Sequence, residues 1–154
     1  MKTALEAFVG RNIEYYEEKW KNEYSWNWAA FFLTFLWLGY RKMYGVIFGF
    51  VGLNLLIDFI LYFVTHEIYS TTSSTIMSII FFIIPSTVLG YTGNYFYKRQ
   101  AEKNIIYLNK LNYDTSESMS ELRKKGGVSS IGLMLAIKIM MMYYFLSQIM
   151  YVIL

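Results

Sequence analysis

Trp26-Asn27-Trp28-Ala29-Ala30-Phe31-Phe32-Leu33-Thr34-Phe35-Leu36-Trp37-Leu38-Gly39-Tyr40-Arg41-Lys42-Met43-Tyr44 is apolar, aromatic at both ends and closed by an adjacent pair of cations. Indole and phenol rings favour the level of lipid headgroups, and Lys and Arg collect on the cytoplasmic side of a bilayer. The stretch therefore places the chain at a membrane surface. From Trp26 to Leu38 it has 13 residues, short of the roughly 20 that a helix needs to cross the hydrocarbon core. An interfacial or re-entrant helix is expected over 26–39, with Asn27 as its N-cap. Trp26, Trp28, Trp37 and Tyr40 are candidate anchors at headgroup depth, and Arg41 and Lys42 are candidates to hold lipid phosphates. Ala29 and Ala30 would let a neighbouring helix approach closely. A site that recognises a lipid headgroup or a partner helix would need the same residues, so both readings stand.

The rest of the composition agrees with a membrane address, since 56% of residues are hydrophobic, 20% aromatic and 16% charged. Three segments are long enough to span: about 44–64 with only Asp58 charged, about 76–97 with no charge and one proline, Pro85, and about 128–154 interrupted only by Lys138. Six cations precede the first span, seven lie between the second and third, and the loop 65–75 has none. The N-terminus and the long connection 98–127 are then expected in the cytoplasm, with the C-terminus outside. The expected fold is thus an all-α membrane domain over 1–154. Residues 2–24 carry five glutamates and no central apolar run, so they do not read as a cleavable signal peptide.

The cytoplasmic parts read as helical. Thr3 and Glu6 match a capping box, and Leu5, Val9, Ile13, Tyr16 and Trp20 follow at helical spacing, which predicts one amphipathic helix over 4–24 resting on its own domain or on headgroups. Ala101, Ile105, Leu108 and Leu111 extend a helical stripe beyond the second span. Ser118 and Glu121 suggest a second capping box, in a short helix that Gly126 and Gly127 would end.

Ionisable residues inside a bilayer are functional candidates by default. Asp58 lies towards the outer side of the first span and Lys138 towards the cytoplasmic side of the third, a difference in depth of about 10 Å at 1.5 Å per residue. Lys138 is therefore expected to snorkel rather than to pair with Asp58. Gly45, Gly49 and Gly52, Gly90 and Gly93, and Gly132 with Ala136 have the spacing that brings helices together. The surface around Met140-Met141-Met142-Tyr143-Tyr144 is left for lipid or protein.

Several chemistries are disfavoured. There is no cysteine, hence no thiolate ligand or nucleophile. The lone histidine, His66, stands with Glu67 at a loop edge, where solvation is the usual state. No nucleophile elbow, zinc-protease motif or phosphate loop occurs. No catalytic residue, metal or cofactor is expected, and the connection's seven cations less four acids leave +3, which the positive-inside rule explains without nucleic acid.

Asn27-Trp28-Ala29-Ala30-Phe31-Phe32, then Trp37, then Tyr40-Arg41-Lys42-Met43, resembles the hallmark of the bacterial membrane family called domain of unknown function twenty-six twenty-eight. Gly10, Asn12, Tyr15 and Tyr16 before it, Gly93-Asn94 with Tyr97 after it, and Gly126-Gly127 with Ser129 lie in the family's order. Similar members often have Gly-Pro where this chain has Thr34-Phe35, so the absence of that breaker implies a continuous helix. Some members carry a cysteine-rich zinc ribbon, which this chain lacks. The resemblance implies an integral protein of the bacterial cytoplasmic membrane without an assigned activity.

Two function classes follow. The first is a non-catalytic accessory, scaffold or regulatory subunit that binds a larger membrane complex or itself, with toxin immunity or phage exclusion as a special case. The alternative is a small oligomeric channel or transporter that uses Asp58.

Overall fold

The computed structural model describes the backbone of residues 2–65, 71–110 and 115–153, and the side chains of 3–60, 83–110 and 116–149. Among the described residues all regular structure is helical. His66, Glu67 and Leu111 lie outside the described residues.

The single amphipathic helix expected over 4–24 is two helices, α1 (Lys2–Val9) and α2 (Ile13–Lys19), joined by a 3₁₀ turn at Gly10–Asn12. Gly10 takes φ +76, a conformation open to glycine at no steric penalty. Thr3 sits inside α1 and cannot cap it, so the first capping box is not formed. The apolar stripe nevertheless works as the spacing predicts. Phe8, Val9, Tyr16 and Trp20 are buried, and Leu5 and Ile13 pack against them. The stripe rests on the chain itself, with α1 lying against α6 (Thr71–Lys110) and α7 (Thr115–Lys125).

The motif segment is also broken, against the expectation of a continuous helix. It forms α3 (Trp28–Leu33) and α4 (Phe35–Tyr40) around Thr34, at φ 43 and ψ −114. A β-branched residue with positive φ is strained, by of order 1–3 kcal/mol. The break lets α3 lie on α6 while α4 lies on α8 (Ser130–Ile153), two partners that one straight helix of this length would not reach. Hydrogen bonds bracket the corner: Thr34 N–H donates to the Ala30 carbonyl at 2.9 Å and Leu38 N–H to the Thr34 carbonyl at 3.2 Å.

Arg41-Lys42-Met43 turns α4 into α5 (Tyr44–Thr65). Met43 N–H donates to the Leu38 carbonyl and Lys42 N–H to the Gly39 carbonyl, the paired bonds of a Schellman cap. Lys42 holds the left-handed position at φ 58, where glycine is usual, and the two apolar residues of the cap, Leu38 and Met43, are both buried. Helix α6 runs unbroken through the expected boundary at 97/98 and includes Pro85, which lacks an N–H and so removes one bond of the ladder. Ser118 lies within α7 rather than at its cap, so the second capping box is not formed either. Gly126 and Gly127 end α7 as expected, Gly127 at φ +67 with its N–H donating to the Phe8 carbonyl at 2.6 Å. Ser129 caps α8 by accepting the Gly132 N–H at 2.9 Å.

Among the described residues, one helical stretch, within Ser116–Ile149, is long and apolar enough to cross a membrane, and α8 supplies its apolar part; Tyr44–Ile60 is apolar but shorter. The side chains of 76–82 in the expected second span lie outside the described residues.

Small residues set where helices meet. A Cβ on Gly39 would collide with the Gly132 carbonyl and lie 2.5 Å from Ala136 Cβ, and one on Gly132 would collide with the Gly39 carbonyl. Gly93 is covered by Ala30 at 3.0 Å and by Trp37, and Gly90 by Phe31 and Trp26 at 3.0 Å. Gly90, Gly93, Gly132 and Ala136 thus stand where helices approach closely, and Gly39, not singled out from the sequence, stands there with them. Gly45, Gly49 and Gly52 correct the packing expectation. A Cβ on any of these three meets nothing within 4 Å, because α5 turns that face away from α4 and α8.

This contrast fixes the sign of a substitution series followed by thermal unfolding in detergent. Gly39→Ala and Gly132→Ala overpack a backbone contact and should destabilise by about 1–3 kcal/mol. Gly45→Ala, Gly49→Ala and Gly52→Ala fill open space on a helix and should stabilise by up to about 1 kcal/mol each.

Candidate functional site

Asn27 begins at the N-cap of α3, where its Oδ1 accepts the Ala30 N–H at 3.0 Å. Its Nδ2 donates to Asn94 Oδ1 on α6 at 2.8 Å. Asn94 in turn donates from Nδ2 to Ser25 Oγ at 2.9 Å and to the Ser25 carbonyl at 3.2 Å, while its own carbonyl accepts Trp20 Nε1 at 2.9 Å. Asn27 N–H donates to the Gly90 carbonyl at 2.7 Å. Both asparagines are 1% exposed, so this network is dry, where hydrogen bonds are strong and an unmade one is expensive. The approach depends on Gly90 and Gly93, whose missing side chains admit Phe31, Trp26 and Ala30 onto the same face of α6.

One turn beyond, Arg41 is enclosed by aromatic rings. Its guanidinium carbon lies 4.9 Å from the Tyr16 ring centroid, 5.1 Å from Tyr97 and 5.9 Å from Tyr40, and Nη1 donates to Tyr97 Oη at 3.4 Å. Arg41 is 4% exposed, and among the described residues no carboxylate forms an ion pair with it. Cation–π attraction offsets part of the resulting desolvation. Two buried N–H groups, Arg41 Nε and Trp26 Nε1, have no hydrogen-bond partner among the described residues. Phe8, Tyr16, Trp20, Trp37 and Tyr97 form the surrounding aromatic cluster, with ring centroids 4.9–6.3 Å apart. Burial pushes the Tyr16 phenol up to about 12, against a smaller lowering by the Arg41 charge.

The expected anchors thus divide. Trp28 is 63% exposed and stacks on exposed Phe32, Tyr40 is exposed at the edge of the Arg41 cage, and Trp26 is half-buried. Trp37 and Arg41 are in the core rather than at a headgroup surface, because α4 turns them towards α6. Lys42 donates its Nζ to the Lys124 carbonyl at 2.8 Å, joining the α4–α5 corner to the end of α7.

Asp58 and Lys138 are not brought together. Asp58 Oδ2 accepts Tyr143 Oη at 2.8 Å and Ser147 Oγ at 3.2 Å, both on α8. Lys138 is exposed, more than a turn of α8 before Tyr143. Among the described residues no group of three or more His, Asp or Glu side chains could hold a metal ion. An open apolar groove of about 360 Å³ is lined by Gly45, Val46, Gly49, Phe50, Leu53 and Phe96.

Sequence reasoning did not assign Asn94, Ser25, Trp20 or Tyr97 to the site. The available signal was an amide in a stretch without charge, with Gly90 and Gly93 on the same face.

A family model described as "Protein of unknown function (DUF2628)" matches residues 6–103, which take in every residue of the asparagine network and the Arg41 cage named above. No curated protein and no solved structure matches the chain.

The raised Tyr16 phenol makes stability pH-dependent with a definite sign. The folded chain holds that proton more tightly than the unfolded chain, whose phenol titrates near 10. The contribution is full below pH 10 and is lost as pH rises towards 12. Unfolding of the wild type should steepen over that window by about 2–3 kcal/mol, and Tyr16→Phe should flatten the fall. An equal alkaline slope in both would contradict it.

Proposed function

The chain belongs to the DUF2628 family, and from that premise we propose that it is a small multi-pass protein of the bacterial cytoplasmic membrane that serves as a non-catalytic accessory, scaffold or regulatory subunit. In this reading α5, the 76–97 part of α6, and α8 cross the bilayer. The N-terminal helices, the protruding end of α6 and α7 then lie in the cytoplasm, where their cations face the negative inner leaflet.

The observation that carries the reading is how little of α5 and α8 the chain covers itself. Phe48, Leu56, Met134, Met141, Tyr144 and Phe145 are each about half or more exposed. So much apolar surface along two helices requires lipid, protein or both. Among the described residues Asn27, Asn94 and Arg41 are turned inward, the two amides bonded to each other and Arg41 to Tyr97, which supports a scaffold over an enzyme. Helices α1 and α7 pack on each other and on α6, and α7 presents a charged surface with Arg123 and Lys124 exposed. The rival channel or transporter would use Asp58, and the bonds from Tyr143 and Ser147 favour a carboxylate that ties α5 to α8.

Purification from native membranes in mild detergent, followed by mass spectrometry, tests the reading. A larger membrane protein should co-purify in fixed ratio and be lost when exposed α8 residues such as Met141 and Phe145 are replaced by Ala. A homo-oligomer that passes ions in liposomes, with flux abolished by Asp58→Asn, would contradict it and establish the rival.

A further inference from the structure

The groove of about 360 Å³ between α5 and α6 is lined by apolar residues alone: Gly45, Val46, Gly49, Phe50, Leu53 and Phe96. Gly45 and Gly49 open it, since a Cβ on either meets nothing within 4 Å. From Gly45 to Leu53 it follows α5 for about 12 Å at 1.5 Å per residue. One leaflet of hydrocarbon is about 15 Å deep, half of a core of about 30 Å. The groove therefore has the length of an acyl chain seated in one leaflet. This rests on the proposed crossing of the bilayer by α5 from a cytoplasmic start.

The cytoplasmic end of the groove is cationic. Gln100 Nε2 donates to the Lys42 carbonyl at 3.2 Å, which holds α6 one turn beyond Phe96 against the corner one turn before Gly45. Lys42 Nζ is anchored on the Lys124 carbonyl at 2.8 Å, and an ammonium so anchored keeps two further donors. Lys103 is exposed and lies within roughly 20° of Phe96 round α6, whereas Glu102 stands about 120° away. Glu121 is already tied to Lys124 at 2.8 Å. Apolar walls thus run up to positive charge, the pattern complementary to a lipid whose headgroup is negative. We propose that this groove binds one anionic phospholipid, with an acyl chain along Gly45, Gly49 and Leu53 and the phosphate at Lys42, Gln100 and Lys103. Burial of the chain supplies affinity, and the two ammonium groups select the negative headgroup. The site is independent of any partner subunit on α8.

Native mass spectrometry of the full-length protein in mild detergent, titrated with phosphatidylglycerol or with phosphatidylcholine of the same chains, tests the site. One phosphatidylglycerol per chain is expected, with phosphatidylcholine held about tenfold more weakly. Gly49→Leu fills the groove and should abolish binding of both lipids. Lys103→Gln should weaken phosphatidylglycerol by about fivefold and leave phosphatidylcholine unchanged. Equal affinity for the two lipids, or phosphatidylglycerol binding unchanged in Gly49→Leu, would overturn the proposal. A lipid-free dimer that Gly49→Leu dissociates would give the groove to a second copy and overturn it as well. If Gly49→Leu does not fold, Gly45→Leu decides in the same way. A chain that stays in solution without detergent would remove the membrane reading and this proposal together, whereas an embedded chain that binds no lipid removes this proposal alone.

Discussion

The hydrogen bond from Asn27 Nδ2 to Asn94 Oδ1 joins the start of the motif helix to the middle of the longest helix, and the remaining contacts are arranged around it. Asn27 can reach Asn94 only because Gly90 and Gly93 leave α6 bare on that side. Once it does, α3 is capped, Ser25 and Trp20 are drawn onto the same amide, and the aromatic stripe of α2 falls against Tyr97. A buried amide–amide bond of this kind contributes only about 1 kcal/mol net. Its larger effect is on specificity, since any other register of α3 on α6 would leave two amides unpaired in a dry site.

Arg41 extends the same logic with a charge. An arginine buried without a carboxylate would ordinarily be destabilising. Here three tyrosine rings drawn from α2, α4 and α6 surround it, so the cation draws into one place elements that are distant in sequence. The Schellman corner that follows then sets the departure of α5, and the Gly39–Gly132 contact sets α8. The polar and aromatic hub thus positions the apolar helices, which are left open to their surroundings along most of their length.

Much of this was legible in the residues. The helical segments at 44–64 and 128–154, the stripe through Val9, Tyr16 and Trp20, the Asn27 cap and the glycine stop at 126–127 all follow local rules of period and capping. Two breaks were not legible. A lone glycine weakens a helix without fixing where it ends, so Gly10 did not by itself mark the break, and Thr34 has no local reason to leave a helix; its positive φ is imposed by α3 and α4 packing on different partners. Arg41 and Trp37 misled for a related reason. Beside a membrane their types suit a headgroup surface, but only the tertiary path of α4 shows that they face a protein core. Gly45, Gly49 and Gly52 have the spacing of a helix contact, and spacing alone does not supply the opposing helix.

The central claim is that Asn27 and Asn94 act as one structural unit. A double-mutant cycle measured by denaturant unfolding in mixed micelles tests it directly, using Asn27→Ala, Asn94→Ala and the double substitution. Each single change strands a buried amide, so each should destabilise by about 1–3 kcal/mol, and the double change should cost clearly less than their sum. Additive losses, or single changes without effect, would contradict the claim.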